Sequence, residues 1–298
     1  MRRGARNTAA IGGALALCAL AIGLAASPAP AGKGKRKIEV RPGAGAITDA
    51  LERARGGDVL RIHKGRYEEA LAITQRVKLV GVGKRRPVID AGCSTRTTID
   101  ALADGVRLRR LKVIGADTAT EVDFNGVSGG RAADLVLRDT CDAEYGINVF
   151  DTGPMTIVHS RATGFDDAGF YIGGISRTPN GEIRLARSEA YGNLRGLIVE
   201  NSAGGEIRVR RNDFHHNDVT VAPGLPTGIL ITNSDGVRVE QNEVASNARF
   251  GLHLTEDSDR NLIDTNRFLG NPIDIRNQGT GNCGSGNSAQ TGDALPPC

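Results

Sequence analysis

Short runs of alternating apolar and polar residues, separated by glycines, make up most of the chain. Near the start, the apolar residues between Ile47 and Ala54 fall on one helical face, and Gly56-Gly57 would end that helix. The apolar runs that follow are too short for helices and repeat every second residue, as half-buried strands do; they lie at 58–62, 72–73, 77–80 and 88–89. The pattern predicts one short helix followed by many short strands.

Further along, the strand-like runs recur at a regular spacing. One column of runs begins at Leu111, Leu135, Met155, Ile183, Ile207, Val237 and Asn261, in steps of 20 to 30 residues. A second column begins with glycine, at Gly146, Gly169, Gly196, Gly228 and Gly251. A repeat of this length predicts a solenoid, because one unit cannot bury its apolar face without its neighbours. We therefore expect coils of short strands that pair in parallel with the coils above and below.

A third signature lies between these columns and predicts the corners of the coils. The segments SEAYGN, NDFHHN, NEVASN and NRFLGN all place Ser or Asn first and Asn sixth; they begin at Ser188, Asn212, Asn242 and Asn266. Stacked asparagines can hydrogen-bond along the solenoid axis as amide ladders. We also expect these asparagines to take the left-handed backbone conformation that sharp corners need, since Asn tolerates it.

Together these features resemble the right-handed parallel β-helix proteins of the pectin-lyase-like superfamily. The segment from Ile47 to Asp90 looks like the family's cap helix and first coils. The NDFHHN-type corners are similar to repeats of its periplasmic accessory branch, typified by the nitrous-oxide-reductase maturation protein. The resemblance covers about residues 38–277. It implies an all-β fold, a right-handed parallel β-helix (solenoid) with a short N-terminal cap helix, but little about function, because the family contains lyases, hydrolases, epimerases, adhesins and non-enzymatic binders.

The N-terminus has the pattern of a secretory signal peptide. Basic residues in the first six positions precede an apolar run from Ala9 to Ala26, and Ala29-Pro30-Ala31 offers a cleavage site. An uncleaved membrane anchor is the alternative. We expect three parts: a signal peptide over 1–31, a β-helix domain over 32–277, and a Gly/Ser/Pro-rich tail over 278–298. The mature protein would be secreted, periplasmic or at the cell surface, free of the membrane and monomeric.

The basic charge of the chain comes largely from this N-terminal segment. Removal of residues 1–31, which contain three arginines and no acid, lowers the formal charge from +4 to +1. The overall charge therefore gives no reason to expect a nucleic-acid partner.

Four cysteines follow the signal segment, and an even number in an exported chain favours disulfides. Cys283 and Cys298 bracket the tail, so this pairing is expected first, and Cys93 with Cys141 follows by elimination. No close Cys or His pair has the spacing of a zinc site. The neighbouring His215-His216 should point to opposite sides of a strand.

Polar residues around the glycine column form the candidate site. Because coils stack, residues from three consecutive coils could gather on one side of the β-helix. The candidate catalytic residues are Asp167, Tyr171, Arg195 and Glu200, and the candidate substrate-binding residues are Glu144, Asn148, Asp151, Asp166 and Asn201. The segment 218–226 is an insertion beside them that could wall a groove.

This set has the ingredients of uronate chemistry. A lyase neutralises the substrate carboxylate, removes the C5 proton and protonates the leaving oxygen. The acids could hold Ca²⁺ for the first task, and Arg195 or Tyr171 could serve the second. No cofactor is otherwise implied. A hydrolase would need two facing carboxylates, for which Asp167 and Glu200 are a conceivable pair.

Other observations weigh against a dedicated catalytic cleft. The Gly-His-Gly set of polygalacturonases and the Asp-Pro-His-Asp motif of alginate epimerases are missing from the sequence. Ile198 and Leu230 interrupt the polar column, and turn formation explains Asp166-Asp167 equally well.

Three arginines, Arg184, Arg208 and Arg238, share one outward register on three coils. One interpretation is a basic stripe that grips the carboxylates of an acidic polysaccharide. The other, which we favour, is a solvated face paired internally; the available acids are Glu182, Glu206 and Glu240.

The sequence thus predicts a secreted β-helix that recognises an extracellular or cell-envelope polysaccharide, with cleavage or epimerisation left open. A lyase or epimerase is favoured over a glycoside hydrolase, and the alternative is a non-catalytic scaffold or accessory protein. An open groove holding the four candidate catalytic residues would favour the enzyme. Side chains bound to neighbouring turns would favour the scaffold.

Overall fold

The chain is a stack of parallel β-coils closed at its N-terminal end by one helix, in the computed structural model that describes residues 35–176, 181–204, 206–219 and 224–298. The predicted signal peptide lies outside the described residues. No helix in the described ranges has the length and apolar character needed to cross a membrane.

Each coil contributes up to three short strands, and strands of successive coils pair in parallel to form three faces. Face 1 contains β1 Lys37–Val40, β2 Val59–Ile62, β5 Lys78–Gly81, β7 Arg107–Arg109, β9 Gly130–Ala133, β12 Met155–Val158, β15 Ile183–Ala186, β18 Ile207–Arg210, β21 Arg238–Glu240 and β24 Leu262–Asp264. Face 2 contains β3 Arg66–Glu68, the first parts of the long strands β6 Val88–Ala101 and β8 Lys112–Asn125, β10 Val136–Arg138, β13 Arg161–Thr163, β16 Glu189–Tyr191, β19 Asp213–His215, β22 Glu243–Ala245 and β25 Arg267–Leu269. Face 3 contains β4 Leu71–Ile73, the second parts of β6 and β8, β11 Tyr145–Phe150, β14 Ala168–Gly173, β17 Arg195–Ala203, β20 Thr227–Asp235, β23 Phe250–Leu254 and β26 Ile273–Asn277.

The inward positions of the strands form one continuous apolar core. On β15, Ile183 and Leu185 are buried while Arg184 between them is exposed. On β17, Leu197 and Val199 take the inward positions, and Ile198 between them is buried on the outer side of the strand. This alternation confirms the period of two read from the sequence. The fold class, an all-β parallel solenoid with a short cap helix, is as predicted.

The cap helix α1, Ala46–Arg53, covers the N-terminal end of the core with Ile47 and Ala50. Its first residue is preceded by Gly45, which has no side chain to accept the free N–H groups of the first turn. Glu69 takes that role, because its carboxylate accepts the backbone N–H groups of Ile47 and Thr48 at 2.9 Å each. A negative charge at this end also complements the helix dipole.

Two amide ladders run along the corners, as predicted. Between faces 1 and 2, the side-chain amides of Asn212, Asn242 and Asn266 each donate to the next coil at 2.9 to 3.1 Å. Between faces 2 and 3, a second ladder has distances of 2.9 to 3.0 Å and joins Asn193, Asn217, Asn247 and Asn271. These buried amides also donate to strand carbonyls, so the ladders satisfy the polar groups of the corners.

The ladder asparagines do not take the left-handed conformation that we expected of them. Positive φ angles of 51° to 57° lie one residue earlier, at Arg187, Arg211, Gln241 and Thr265. That residue turns the chain so that the next side chain points inward, where an amide can reach the next coil. Asparagines do take the left-handed conformation at the corner between faces 3 and 1, where Asn201 and Asn233 have positive φ angles.

Residues 278–298, which we expected to form a tail, continue the coil as a last, irregular turn. Three isolated parallel bridges connect them to the preceding strands: Leu262 with Cys283, Arg267 with Ser288, and Ile275 with Gly292. Asn287 extends the ladder between faces 1 and 2, and Asn282 accepts a hydrogen bond from the Asn261 amide at the corner between faces 3 and 1. Both expected disulfides are present, Cys93–Cys141 and Cys283–Cys298.

Candidate functional site

The candidate residues belong mainly to the outside of face 3. Two positions after each glycine, the outward side chains stack in register along the axis: Asn148, Tyr171, Ile198, Leu230 and His253. The same column continues toward the N-terminus with Asp123 on β8 and Asp100 on β6. Coil stacking therefore brings residues that are 22 to 32 positions apart within side-chain reach.

The glycine column is a packing requirement of the corner that leads into face 3. A Cβ atom at Gly196 would lie 2.8 Å from the Phe214 ring and 3.0 Å from the Asn217 amide. A Cβ atom at Gly228 would lie 2.5 Å from the Val244 side chain. The corner residues and the amide ladder occupy this space, which explains why the repeat is so visible in the sequence.

Asp167 and Arg195 are brought together as an ion pair, with side chains that are 28% and 17% exposed. The Tyr145 hydroxyl donates to the other Asp167 oxygen at 3.2 Å. Burial, followed by the Asp167 charge, raises the pKa of Tyr145. Both Asp167 oxygens are thus engaged, and Arg195 is held as a cation across one coil boundary.

Tyr171 and Glu200 form a second pair on the same face. The Tyr171 hydroxyl donates to Glu200 Oε2 at 2.7 Å. Burial raises the pKa of Tyr171, and the hydrogen bond to the carboxylate raises it further. Tyr171 therefore stays protonated, which suits a proton donor rather than the base expected from the sequence.

Between these two pairs lies an apolar surface. Ala168, Tyr171 and Ile198 form a buried cluster that is separate from the main core, and Tyr145 and Leu230 pack against it. The rings of Tyr145 and Tyr171 are 4.8 Å apart and tilted by 44°. We call Tyr145, Tyr171, Ile198 and Leu230 the aromatic strip. Ile198 and Leu230, which interrupt the polar column in the sequence, thus pack with the tyrosines on the outside of face 3, where Ile198 is buried and Leu230 is partly buried.

The other predicted binding residues lie at the edges of face 3. Asp151 and Asn201 occupy the corner toward face 1 with φ angles of 47° and 50°, and Asn201 accepts a hydrogen bond from the Asn233 amide at 2.7 Å. Turn formation accounts for both. Glu144 and Asp166 lie at the corner from face 2. Burial raises the pKa of each, and neighbouring acids add to the shift.

Sequence reasoning missed the stacked acids Asp100 and Asp123. The Asn148 amide donates to Asp123 Oδ1 at 2.8 Å. Burial raises the pKa of both acids, and the Asp100 charge adds to the shift at Asp123. Within the described ranges neither acid has a cationic partner.

The alternation of inward apolar residues along the strands could have revealed these acids. Ile99 and Ala101 flank Asp100, and Val122 and Phe124 flank Asp123, as Ile147 and Val149 flank Asn148. The glycine column does not reveal these two coils, because Glu121 replaces the glycine on one of them and Thr98 replaces it on the coil before.

The acid pair alone supplies too few ligands for a metal site. Ca²⁺ takes six to eight oxygen ligands, and two carboxylates one strand spacing apart supply only part of that shell. In the part of the chain that the structure describes, no group of three or more His, Cys, Asp or Glu side chains is arranged to hold a metal ion. A carboxylate-bearing polymer would have to complete the shell.

The expectation for His215 and His216 was wrong. Their Nδ1 atoms are 2.9 Å apart, and the His215 ring stacks on Tyr191. His216 follows the end of β19 with a φ of 49°, which turns its side chain back toward its neighbour. The pair lies on the outside of face 2, away from the candidate site.

The insertion beside the site is only partly described. Residues 220–223 of the segment 218–226 lie outside the described residues, so the predicted groove wall stays a prediction. The end of the insertion packs against Leu194, the residue before β17, since a Cβ atom at Gly224 would overlap the Leu194 side chain.

Comparison with known families supports the fold. A family model described as "Right handed beta helix region" matches residues 145–291. No match is found among curated proteins. The resemblance to the accessory branch of the superfamily stays a prediction.

Solved structures show the same architecture over most of the chain. The pectate lyase Pel9A is 12% identical with a TM-score of 0.67, over 87% of this chain and 78% of that protein. An alginate lyase from Paenibacillus sp. str. FPU-7 is 16% identical with a TM-score of 0.52, over 85% and 99%. ORF18 of Geobacillus virus E2 is 15% identical with a TM-score of 0.51, over 83% and 61%. The fold is therefore a right-handed parallel β-helix.

Proposed function

We propose that this chain is a secreted protein that binds a polysaccharide along the outside of face 3. The observation that carries the proposal is the aromatic strip, which crosses four consecutive coils and has hydrogen-bonding groups on both borders. Similar solved structures that include a pectate lyase and an alginate lyase support the choice of a glycan.

The shape of the strip suits a linear polymer. Tyr171 and Ile198 at its centre are buried, so its accessible members are Tyr145 and Leu230, which lie three strand spacings apart, about 14 Å along the axis. Separate sugar rings of one polymer would offer apolar faces to Tyr145 and to Leu230, the partly buried members of the strip, and hydroxyl groups to the polar borders. One border is the Asp167–Arg195 pair, and the other is Glu200.

The acids at the N-terminal end of the strip favour an acidic polymer bound with Ca²⁺. Asp100 and Asp123 would repel a uronate chain on their own, and a shared Ca²⁺ ion would reverse that repulsion. The proposed ligand class is therefore a uronate-containing polysaccharide, and the proposed location is extracellular or periplasmic.

A lyase or epimerase is the second candidate, and the Tyr171–Glu200 pair favours it. A protonated Tyr171 could donate to the leaving oxygen and Glu200 could pass on the replacement proton, while the C5 proton would have to pass to a separate base. The predicted bases are less suitable, because Tyr171 holds its proton and Arg195 is bound to Asp167. We therefore place recognition ahead of catalysis. The hydrolase pairing of Asp167 with Glu200 is weaker still, since each of these carboxylates is bound to another partner.

The test uses the chain without residues 1–31, with polygalacturonate, alginate and a neutral galactan, in Ca²⁺ and in chelator. Binding is measured by calorimetry, unsaturated product by absorbance near 232 nm, and cleavage by reducing ends. Leu230→Asp disrupts the strip, Tyr171→Phe removes one hydroxyl and keeps the ring, and Arg195→Ala removes the pair. Tyr191→Ala on face 2 is the matched aromatic control.

We expect Ca²⁺-dependent uronate binding that Leu230→Asp weakens by about tenfold or more, with Tyr191→Ala unchanged. An ultraviolet signal that Tyr171→Phe or Arg195→Ala abolishes, with binding retained, would establish lyase chemistry. Reducing ends without that signal would establish hydrolysis. Ca²⁺-dependent binding that Leu230→Asp leaves intact, or no Ca²⁺-dependent binding to either uronate polymer, would overturn the proposal.

A further inference from the structure

Face 1 carries a column of cations that the candidate site does not use. The outward residues at one register position on seven consecutive strands are Lys78, Arg107, Arg131, Thr156, Arg184, Arg208 and Arg238. We call these residues the basic column. At about 4.8 Å per strand it runs for about 29 Å along the axis.

The two ends of the column differ in how its charges are neutralised. Arg208 lies between Glu182 and Glu240, with N–O distances of 3.4 and 3.6 Å. The internally paired face expected from the sequence therefore holds at this coil. By contrast, Arg107, Arg131 and Arg184 form no ion pair with any acid in the described ranges.

Positive charge accumulates at the N-terminal end of the column. Burial, followed by the charge of Arg107 on the next coil, lowers the pKa of Lys78. Like charges one strand apart repel each other, and this repulsion destabilises the free protein. An anionic ligand that lies along the column would relieve it.

A cleft opens beside this cationic end. It has a volume of about 320 Å³ and is lined by Arg107, Arg131, Pro154, Thr156 and Glu182, among others. Two guanidinium groups on adjacent coils thus border one cleft. A second cleft, of about 350 Å³, lies at the other end of the column, but Glu182, Glu206 and Asp235 are among its lining residues.

We propose that the basic column from Lys78 to Arg184 binds a linear carboxylated polysaccharide, at a surface separate from face 3. The planar fork of arginine matches a carboxylate in two hydrogen bonds. A row with about one cation per strand suits an extended polymer with an acidic group on each sugar. This surface does not depend on the function proposed for face 3.

The composition of face 1 argues against a nucleic-acid partner. Proteins that bind single strands stack bases on aromatic side chains. The described strands of face 1 contain no Phe, Tyr, Trp or His. The second outward column is largely small and apolar at its centre, where Ala133, Val158 and Ala186 form a buried cluster. Such a surface can bind the acidic groups of a carboxylated glycan, but it offers nothing on which bases could stack.

The test measures binding of fractionated polygalacturonate oligomers to the mature chain in chelator, where Ca²⁺-dependent binding to face 3 is suppressed. Methyl-esterified oligomers of equal length test the need for charge, and single-stranded DNA of equal charge tests the class of polymer. Arg107→Gln/Arg131→Gln is the test variant. Arg138→Gln/Arg267→Gln removes the same charge from the outside of face 2 and is the control.

We expect the test variant to bind the oligomers at least about tenfold more weakly at low salt, with the control within about twofold. The methyl-esterified oligomers should not bind, and Leu230→Asp should have no effect. An equal loss in both double variants, no binding by the wild type in chelator, or tighter binding of the DNA would each overturn the proposal. Circular dichroism spectra should be the same for all variants.

Discussion

Faces 1 and 3 are built from the same coils, yet their outer surfaces differ in almost every respect. Both bury an inward row of Ile, Leu and Val in one core, and both meet corners closed by ladders. Outside, face 1 carries a row of exposed arginines, whereas face 3 carries acids and tyrosines that are linked from coil to coil. Because alternate residues of a strand point to opposite sides, the inward row can fix the fold while the outward row varies freely.

Burial is the physical difference between the two surfaces. On face 3 the outward residues Tyr171 and Ile198 are themselves buried, so their polar neighbours interact with little screening by water. On face 1 the arginines Arg107 and Arg184 are exposed, so their charges are screened. Face 3 should therefore contribute to stability through its side chains, and face 1 mainly through its backbone and core.

The largest change in the free energy of unfolding is expected at Glu121, because it is a buried acid at the edge of face 3. It occupies the glycine-column position, between the register pairs Thr120–Tyr145 and Val122–Ile147. Its carboxyl contacts Thr98 Oγ1 at 2.7 Å and the Ala116 N–H at 3.3 Å. Burial raises its pKa to about 7. A neutral carboxyl group can donate to Thr98 and accept from Ala116, so the protonated form satisfies the site.

Glu121→Gln should stabilise the fold at pH 8 by about 3 kcal/mol, since Gln makes the same two bonds without a charge. The sign follows from a folded-state pKa above the unfolded value of 4.5. Between these two values, the folded wild type keeps a proton that the unfolded chain loses, so its free energy of unfolding falls as pH rises. Urea unfolding at pH 4.5, 6 and 8 should show the advantage of the variant growing from near zero. The exposed Glu68→Gln is the control, and a pH-independent difference would contradict the assignment.

The inward row made the fold predictable from sequence. The repeat of apolar pairs such as Ile183 and Leu185, and the Asn of the corners, report contacts that every coil must make. These constraints repeat, so they appear as a period. The handedness came from the resemblance, not from the pattern.

The site was only partly predictable, because its contacts do not repeat. The pairing of Asp167 with Arg195, and of Tyr171 with Glu200, depends on side-chain direction across coils, which a sequence period does not encode. The outward cations Arg107 and Arg131 escaped notice because Thr156 interrupts their row before Arg184. Asp100 and Asp123 were missed because Thr98 and Glu121 occupy the positions at which the glycine column would have marked their coils.

Gly173→Ala tests the cross-coil contact on face 3 directly, with a moderate expected effect. A Cβ atom there would overlap the Tyr171 ring and lie 2.6 Å from its hydroxyl. The ring crosses over Gly173 to reach Glu200, so it must move and lose that hydrogen bond. We expect a loss of about 2 kcal/mol in the free energy of unfolding, together with weaker glycan binding on face 3.

Gly56→Ala is the matched control for this substitution, since a Cβ atom at Gly56 meets nothing within 4 Å. It should change the free energy of unfolding by no more than about 0.5 kcal/mol. If Gly173→Ala were as mild as the control, the Tyr171–Glu200 contact would not be an important part of the face.

The smallest expected effect is the difference in coupling energy between one ion pair on each face, which double-mutant cycles measure directly. The face 3 pair is Asp167 with Arg195, and the face 1 pair is Arg208 with Glu240. Arg195 is 17% exposed and Arg208 is 35% exposed, and Glu182 can replace Glu240 as a partner of Arg208. We expect a coupling energy of about 1 kcal/mol on face 3 and less than about 0.3 kcal/mol on face 1.

The substitutions for the cycles are Asp167→Asn, Arg195→Gln, Arg208→Gln and Glu240→Gln, singly and in pairs, with urea unfolding as the measurement. Repetition in 1 M salt supplies the control, because screening should remove the coupling on face 1 and leave most of the coupling on face 3. Equal couplings at low salt, or equal losses in high salt, would show that burial does not separate the two surfaces. The arginines of face 1 would then stabilise the fold as much as Arg195 does, and they would be less available to a ligand.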